Sequence, residues 1–307
     1  MNYLSTLLQY LLFPGLLFAA VMGLITSWVD RKVTARVQMR VGPPFLQPFY
    51  DILKLMVKET IVPRGVSKWF FLSMPLLGLA ATAAASTILW RSLIMPEKTF
   101  VGDLIVLIYL LTLPAVSVIM GSFASKNPLA SLGGSREMKL LLSYELPFIL
   151  SITVPIIHSH SIQMGQIILA DASATRLSGI IAVIVAILCM QAKLTLVPFD
   201  IPEAETELAG GAFIEYSGPP FAMLKLTKAM MLFTMPVFLV ACFCCGPQVH
   251  SPGGLVKGTV CILLFVVIIT LIRNTCPRVR IDQAIRFFWG PVTIAALLSV
   301  ILALTGW

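Results

Sequence analysis

The feature that most constrains this 307-residue chain is a series of long apolar stretches. A helix needs about 20 apolar residues to cross the roughly 30 Å hydrocarbon core of a bilayer. Only 12% of the residues are charged and the mean hydropathy is +0.94, which leaves too little polar surface to cover a water-soluble body. We therefore predict an all-α, polytopic membrane protein with about eight transmembrane helices. The expected spans are residues 4–29, 70–90, 102–122, 140–160, 178–199, 221–244, 255–273 and 288–305.

The placement of the cations predicts the orientation in the membrane. The loops after the odd-numbered spans are rich in Lys and Arg, whereas the loops after even-numbered spans and their borders hold only Arg91, Lys98, Arg176 and Lys257. Short loops rich in Lys and Arg stay cytoplasmic, so both termini are expected on the outer side. The net charge of +8 then reflects topology and does not indicate nucleic-acid binding.

The first cytoplasmic loop, residues 30–68, is too long for a simple connector. After Gly42-Pro43-Pro44, apolar side chains recur at helical spacing from Phe49 to Met56, and charged residues occupy the other face. This segment is too short and too charged to span a bilayer. We predict an amphipathic helix on the membrane surface, within a loop that docks a partner.

The third cytoplasmic loop, residues 200–220, is acidic and contains no cation. Its carboxylates are Asp200, Glu203, Glu205, Glu207 and Glu215. Asp200-Ile201-Pro202-Glu203 is typical of a helix start, which would explain the first two as capping residues. Glu203 and Glu207 would then share a helix face, where like charges repel. Such a cluster requires compensating cations, for which Arg36 and Arg40 are candidates, or it indicates proton handling or docking.

Four ionisable residues lie inside predicted spans near their cytoplasmic ends: Glu145, Lys193, Lys225 and Lys228. A charge at the bilayer centre costs at least about 2.5–3.5 kcal/mol, so these side chains are expected to face one another or a hydrated cavity. Snorkelling to the interface would explain Lys225 well and Glu145 poorly, because a glutamate side chain is short.

The sequence indicates no redox centre, metal site or catalytic residue in this chain. It contains no nucleotide-binding loop, no zinc-protease motif and no nucleophile elbow. The six cysteines lie within or beside apolar spans, where they are expected to act as small buried side chains. The chemistry is therefore expected in partner subunits.

Three blocks of residues carry a resemblance to a known family. The first-loop block comprises Asp30-Arg31-Lys32, Arg36, Arg40-Val41-Gly42-Pro43, Gln47-Pro48-Phe49-Tyr50-Asp51 and Lys54-Leu55. The fourth-span block is Ser143-Tyr144-Glu145. The acidic-loop block comprises Pro198-Phe199-Asp200, Glu203-Ala204-Glu205, Glu207-Leu208 and Glu215-Tyr216-Ser217. Together they resemble the family of the NADH–quinone oxidoreductase H subunit, also called the complex I subunit 1 family.

The resemblance implies a membrane subunit in the plasma membrane of a prokaryote, placed between a soluble iron–sulfur arm and antiporter-like membrane subunits. It implies a role for the acidic loop and buried glutamates in linking redox events to proton or sodium movement, with the lysines as counter-charges. The first-loop positions would dock the arm. These docking positions are Arg36, Arg40, Gln47, Asp51 and Lys54.

One departure from the family pattern favours a particular branch. Where quinone-reducing members usually have a Glu-Tyr pair, this chain has Lys228-Ala229, preceded by Lys225. The run from Phe221 to Leu226 and the opening of span three, Gly102 to Ile105, instead resemble energy-converting nickel–iron hydrogenases and formate hydrogenlyases. The partners would then be hydrogenase large and small subunits and an iron–sulfur subunit, which hold the nickel–iron centre and the clusters.

Two other function classes remain open at this point. A quinone-binding subunit of a complex I-type NADH dehydrogenase would need a ligand cavity beneath residues 30–68. A stand-alone carrier or channel is disfavoured, because no internal repeat is present and the long cytoplasmic loops resemble docking surfaces. The sequence does not select between H⁺ and Na⁺, nor among ferredoxin, formate, carbon monoxide and NADH as electron source.

Overall fold

The computed structural model describes residues 3–170, 172–244 and 252–306, and within these ranges it contains helices and turns but no β-strand. The α-helices, numbered α1 to α13 in chain order, are Tyr3–Leu11, Leu16–Val37, Gln47–Val57, Lys68–Ile94, Asp103–Ala124, Pro128–Ser159, Met164–Leu169, Leu177–Lys193, Glu205–Leu208, Gly218–Phe243, Pro252–Thr275, Ile281–Phe287 and Thr293–Leu304. A π-helical turn, Phe288–Val292, joins α12 to α13 in one continuous helix.

Seven helices within the described residues are long and apolar enough to cross a membrane. They match seven of the predicted spans, so the all-α, polytopic prediction is confirmed. The remaining predicted span, 178–199, corresponds to α8, an apolar helix of 17 residues. It ends at Lys193 rather than at residue 199, because Thr195 has a left-handed backbone (φ +49°) and Pro198 has no N–H to continue a helix.

Helix α6 begins twelve residues before the predicted span, at Pro128 rather than at residue 140. The side chain of Asn127 caps it by accepting a hydrogen bond from the Leu129 N–H at 2.9 Å. The predicted spans end at residue 122 and resume at residue 140, which leaves Gly133-Gly134-Ser135 in a loop, and that prediction is wrong. The glycines instead allow close packing, since a Cβ on Gly133 would lie 2.5 Å from the backbone nitrogen of Ala212.

The acidic segment does not begin a helix at Asp200, so the predicted capping role is also wrong. The only α-helical turn between residues 194 and 217 is α9, and a 3₁₀ turn follows at Gly211–Phe213. Two consecutive glycines with positive φ, Gly210 and Gly211, reverse the chain and bring it against α6. The side chain of Glu205 lies outside the described residues.

Helix α10 occupies the centre of the bundle, and every residue from Ala229 to Phe243 is buried. The largest core cluster joins it to α6, α8 and the C-terminal helix, with Tyr144, Phe148 and Phe288 fully buried. Apolar side chains such as Leu298 and Ile301 point outward, as expected for a helix bundle in lipid.

The predicted surface helix is present as α3. It packs against α10, and Pro48 is buried and Ile52 half-buried, while Leu53, Met56 and Val57 are exposed. Because α3 packs against α10, it lies beside the charged residues near the N-terminal end of α10.

Candidate charge-coupling site

The charged side chains of the spans converge at one end of the bundle. Lys228 is in the third turn of α10, and its ammonium forms an ion pair with the carboxylate of Glu203. It also donates a hydrogen bond to the hydroxyl of Thr195 at 3.0 Å, and that hydroxyl lies 3.3 Å from the same carboxylate oxygen of Glu203. The ring of Phe213 lies 4.9 Å from the ammonium, a cation–π distance. The turn after α8 and the acidic segment thus hold Lys228 between them.

A second pair joins α8 to α6. The ammonium of Lys193, whose side chain is only 1% exposed, lies 3.4 Å from a carboxylate oxygen of Glu145. The ring of Phe148 lies 4.7 Å from that ammonium and the ring of Tyr144 lies 5.8 Å from it. The expectation that the span residues face one another therefore holds for Glu145 with Lys193. Their functional roles stay predictions.

Three further acidic-segment residues each have a polar partner, and the partners differ from those expected. Asp200 pairs with Arg278 at 3.0 Å, and Glu207 pairs with Arg136 at 2.6 Å. Glu215 accepts a hydrogen bond from the Asn127 amide at 2.5 Å. Glu203 and Glu207 thus have different partners and do not form the shared face that the sequence predicted. The hydrogen bond from Arg136 and its positive charge lower the pKa of Glu207.

Arg36 and Arg40 do not compensate the acidic segment. Both are exposed, and within ranges 3–170, 172–244 and 252–306 neither forms an ion pair. Among the predicted docking residues, Lys54 is exposed as well. These three cations are placed where a partner could contact them, because they lie on the outside of the bundle, in and after α2 and in α3.

The other two predicted docking residues hold α3 in place. Asp51 forms an ion pair with Arg31 of α2 at 2.7 Å and accepts a hydrogen bond from Gln47 at 3.1 Å. Burial raises the pKa of Asp51, but the hydrogen bonds from Arg31 and Gln47 outweigh it and the net pKa is lowered. Asp51 and Gln47 therefore act first as an internal tether.

A large cavity lies beneath α3, with a volume of about 480 Å³. Its wall contains the ion pairs of Asp51, Asp200 and Glu203, together with the exposed cation Lys225. The ammonium of Lys225 lies 4.7 Å from the Phe221 ring. This cavity is lined by charges in the C-terminal parts of α2 and α11 and the N-terminal part of α10, in contrast to the mostly apolar walls of typical small-molecule pockets.

Sequence reasoning missed two residues of this site. Asp30, at 8% side-chain exposure, bonds Arg273 at 2.9 Å and the Thr270 hydroxyl at 2.9 Å, which ties α2 to α11. Glu137 is 3% exposed and lines a small cavity of about 50 Å³ beside Lys193 and Lys228.

Glu137 was missed because it lies between the predicted spans 102–122 and 140–160 and follows the Gly133-Gly134-Ser135 run. A helical signal was nevertheless present, because Gly133, Glu137, Leu140 and Tyr144 recur at intervals of three or four residues. All four are buried on one face of α6.

The described helices form an apolar bundle, and the charged side chains at one end of it pair with one another. These features define a class: a polytopic membrane protein with paired ionisable residues in its spans. Comparison with known proteins supplies the family. The NADH dehydrogenase family model matches residues 10–304, and the chain belongs to this family, which includes the H subunit of NADH–quinone oxidoreductase. The predicted resemblance is confirmed.

Two relatives and one solved structure illustrate the match. The chain is 32% identical to the NADH-quinone oxidoreductase H subunit of Brevibacillus brevis, covering 97% of this chain and 93% of the relative. It is 30% identical to the protein of the same name from Syntrophotalea carbinolica, covering 97% and 96%. The structure of the membrane-bound sulfane sulfur reductase, an archaeal respiratory membrane complex, contains a similar chain, with a TM-score of 0.85, 28% identity and coverage of 97% and 99%. The relatives are therefore subunits of multisubunit membrane respiratory complexes.

Proposed function

We propose that this chain is the membrane-anchoring, charge-coupling subunit of an energy-converting hydrogenase-type complex. Electron transfer in a soluble arm would be linked through it to movement of protons or sodium ions. The arm would contain hydrogenase large and small subunits and an iron–sulfur subunit, which hold the nickel–iron centre and the clusters. Antiporter-like membrane subunits would move the ions, and the complex would lie in the plasma membrane of a prokaryote with both termini of this chain outside.

The observation that carries the proposal is the pairing of two lysines of the spans with carboxylates, one pair being in the wall of the large cavity. Lys228 pairs with Glu203 and Lys193 pairs with Glu145. Charges at short distance in a low-dielectric interior interact strongly, so a change of charge on one pair alters the energy of the next. Such a series of pairs can transmit a redox event to the membrane interior without holding a redox centre.

The hydrogenase branch is supported by the identity of the residue at the cavity wall. Lys228 supplies an ammonium where the quinone-reducing pattern has an acid, and it lines the cavity while bonding Glu203 and Thr195. The exposed cations Arg36, Arg40 and Lys54 offer a basic docking surface for the soluble arm.

A second candidate, a quinone-binding subunit of a complex I-type NADH dehydrogenase, is favoured by one observation. The cavity beneath α3, at about 480 Å³, falls within the roughly 300–1,000 Å³ typical of small-molecule sites. Its charged wall argues against it, because a quinone ring gains little from contact with ion pairs. The relatives from Brevibacillus brevis and Syntrophotalea carbinolica are named as H subunits of NADH-quinone oxidoreductase, which also supports this candidate.

Purification of the native complex through a tag on this chain tests the two candidates. The hydrogenase proposal expects nickel and iron to co-purify and hydrogen to form from a low-potential electron donor. Flavin with NADH oxidation, and inhibition by quinone-site compounds, would select the alternative and refute the proposal.

The coupling role is tested separately by Glu145→Gln in the same complex. Hydrogen production with an artificial donor should persist, because the redox centres lie in other subunits, while ion translocation into membrane vesicles should be lost. The matched control is Glu97→Gln, which changes an exposed carboxylate on the opposite side of the bundle. Undiminished translocation by Glu145→Gln would refute the coupling role.

A further inference from the structure

The wall of the large cavity beneath α3 holds more positive than negative charge. Four carboxylates of the described chain line it, and each forms an ion pair with a cation of the same wall. These pairs are Asp51 with Arg31, Asp30 with Arg273, Asp200 with Arg278 and Glu203 with Lys228. Lys225 is the remaining cation of the wall, and it forms no ion pair with any residue that the structure describes. The wall therefore carries one uncompensated positive charge.

The position of Lys225 makes this charge available to a ligand. The residue belongs to α10, a helix long and apolar enough to cross a membrane, and its ammonium lies 4.7 Å from the Phe221 ring. The carboxylate of Asp51 in the same wall is already occupied, because it accepts hydrogen bonds from Arg31 at 2.7 Å and from Gln47 at 3.1 Å. A charge in a concave wall between low-dielectric helices focuses its field into the cavity and attracts an ion of opposite sign.

Apolar surface on both sides of Lys225 favours an amphiphile over a bare anion. The large cavity is lined by Leu24 of α2 and Ile52 of α3 in addition to its charges. Lys225 also lines a second cavity, of about 410 Å³, whose wall contains Phe213 and Leu224. Hydrocarbon that covers these surfaces would be stabilised by its removal from water, whereas a small hydrated anion would leave them uncovered.

We propose that the cavity beneath α3 binds the headgroup of a singly charged anionic phospholipid, with its phosphodiester on the Lys225 ammonium. The phosphodiester supplies the one negative charge that the wall lacks. Basic pockets between transmembrane helices are known binding sites for the headgroups of anionic lipids. A guanidinium has five N–H donors, so Arg31, which is 43% exposed and donates through one nitrogen to Asp51, has further N–H groups for the phosphate oxygens.

This inference goes beyond the proposed function, because it assigns an occupant to the cavity and holds whichever ion the complex moves. It also differs from the quinone-binding alternative in the charge of the ligand. A quinone is neutral and would leave Lys225 without a counter-ion, whereas a phosphodiester would compensate it. Selectivity for a negatively charged headgroup is therefore the property to measure.

Photolabelling of the purified complex in lipid nanodiscs tests the proposal at the site itself. The nanodiscs contain phosphatidylcholine and a small fraction of phosphatidylglycerol with a photoreactive group on its headgroup, and mass spectrometry identifies the labelled peptides. Lys225→Gln removes the charge and Lys225→Arg keeps it. Lys139→Gln is the matched control, because Lys139 is an exposed lysine of α6 outside the wall of this cavity.

The unmodified complex should be labelled on α3 and on the N-terminal part of α10, and unlabelled phosphatidylglycerol should compete where phosphatidylcholine does not. Loss of a hydrogen bond between charged groups predicts that Lys225→Gln needs about 10- to 150-fold more phosphatidylglycerol for half-maximal labelling. Lys225→Arg and Lys139→Gln should be labelled like the unmodified complex.

Equal labelling of α3 and α10 in Lys225→Gln and in the unmodified complex would overturn the proposal. Competition by inorganic phosphate at the same concentration would show a site for a free anion and would refute the lipid. Loss of partner subunits from Lys225→Gln with unchanged labelling would place a partner's carboxylate on Lys225 and would refute it as well. If Lys225→Gln fails to assemble, the unmodified complex decides: competition by phosphatidylcholine as strong as that by phosphatidylglycerol contradicts recognition of the charge.

Discussion

Removal of either partner of the Lys193–Glu145 pair should destabilise the protein. The loss of stability should be larger when the charge left behind is the more deeply buried one. Glu145→Gln leaves the ammonium of Lys193, with a side chain 1% exposed, without a counter-ion. Breaking a buried pair in this way costs about 3–5 kcal/mol. Lys193→Met leaves Glu145, which is 20% exposed, so water can still reach the carboxylate and the cost is smaller, about 1–3 kcal/mol.

The double variant Glu145→Gln/Lys193→Met removes both charges. Its cost should be smaller than the sum of the single costs by about 0.5–3 kcal/mol, because neither charge is left alone. The assay is the midpoint of heat denaturation for the purified complex in detergent, followed by the loss of the monodisperse peak in gel filtration. The reasoning would be refuted if Lys193→Met proved the more destabilising single change, or if the two effects added within error.

Three further predictions concern the frame around the site. Acidification should release α3, because the pKa of Asp51 is lowered and its ion pair with Arg31 needs the ionised carboxylate. The tether is complete above the ordinary Asp pKa of about 3.9 and is lost as the pH falls through the lowered value. Hydrogen exchange of the α3 amides, corrected for the intrinsic effect of pH on exchange, would detect the release, and an unchanged protection of α3 would contradict the prediction. Gly133→Ala should destabilise by about 1–3 kcal/mol, since its Cβ would meet backbone at 2.5 Å, whereas the control Gly290→Ala meets open space; equal melting temperatures would contradict this. Tyr216→Phe removes the hydrogen bond to the Phe71 carbonyl at 3.2 Å and should cost about 0.5–1.5 kcal/mol in thermal denaturation, and no change would show that this bond contributes nothing.

The helices were predictable because lipid imposes a simple rule on sequence. Backbone groups inside a bilayer must bond within their own helix, so each span appears as an uninterrupted apolar run. The ends were less predictable, because they depend on local packing. The Gly133-Gly134 run is typical of a loop by composition, yet it continues α6 because another segment packs directly on its glycines.

The same limit explains which parts of the site could be predicted. The cost of burying a charge was enough to predict that Lys193 and Glu145 would find partners. It could not identify Arg278 as the partner of Asp200, or Arg136 as the partner of Glu207, because these pairs are 78 and 71 residues apart. Such pairings follow from the packing of α6 and the segment before α12 around the acidic segment, and one sequence alone does not specify that packing.

The position of Lys228 explains how one charge could control the site. Its side chain contributes to the walls of both the large cavity under α3 and the small buried cavity, and its bonds to Glu203 and Thr195 hold it between them. A proton on Glu203 removes the charge that keeps the ammonium in this position. Glu137 is the other carboxylate in the wall of the small cavity. Under the proposed coupling function, protonation of Glu203 would therefore leave the Lys228 ammonium without its counter-ion between the two cavities, with Glu137 as the remaining carboxylate of the small one.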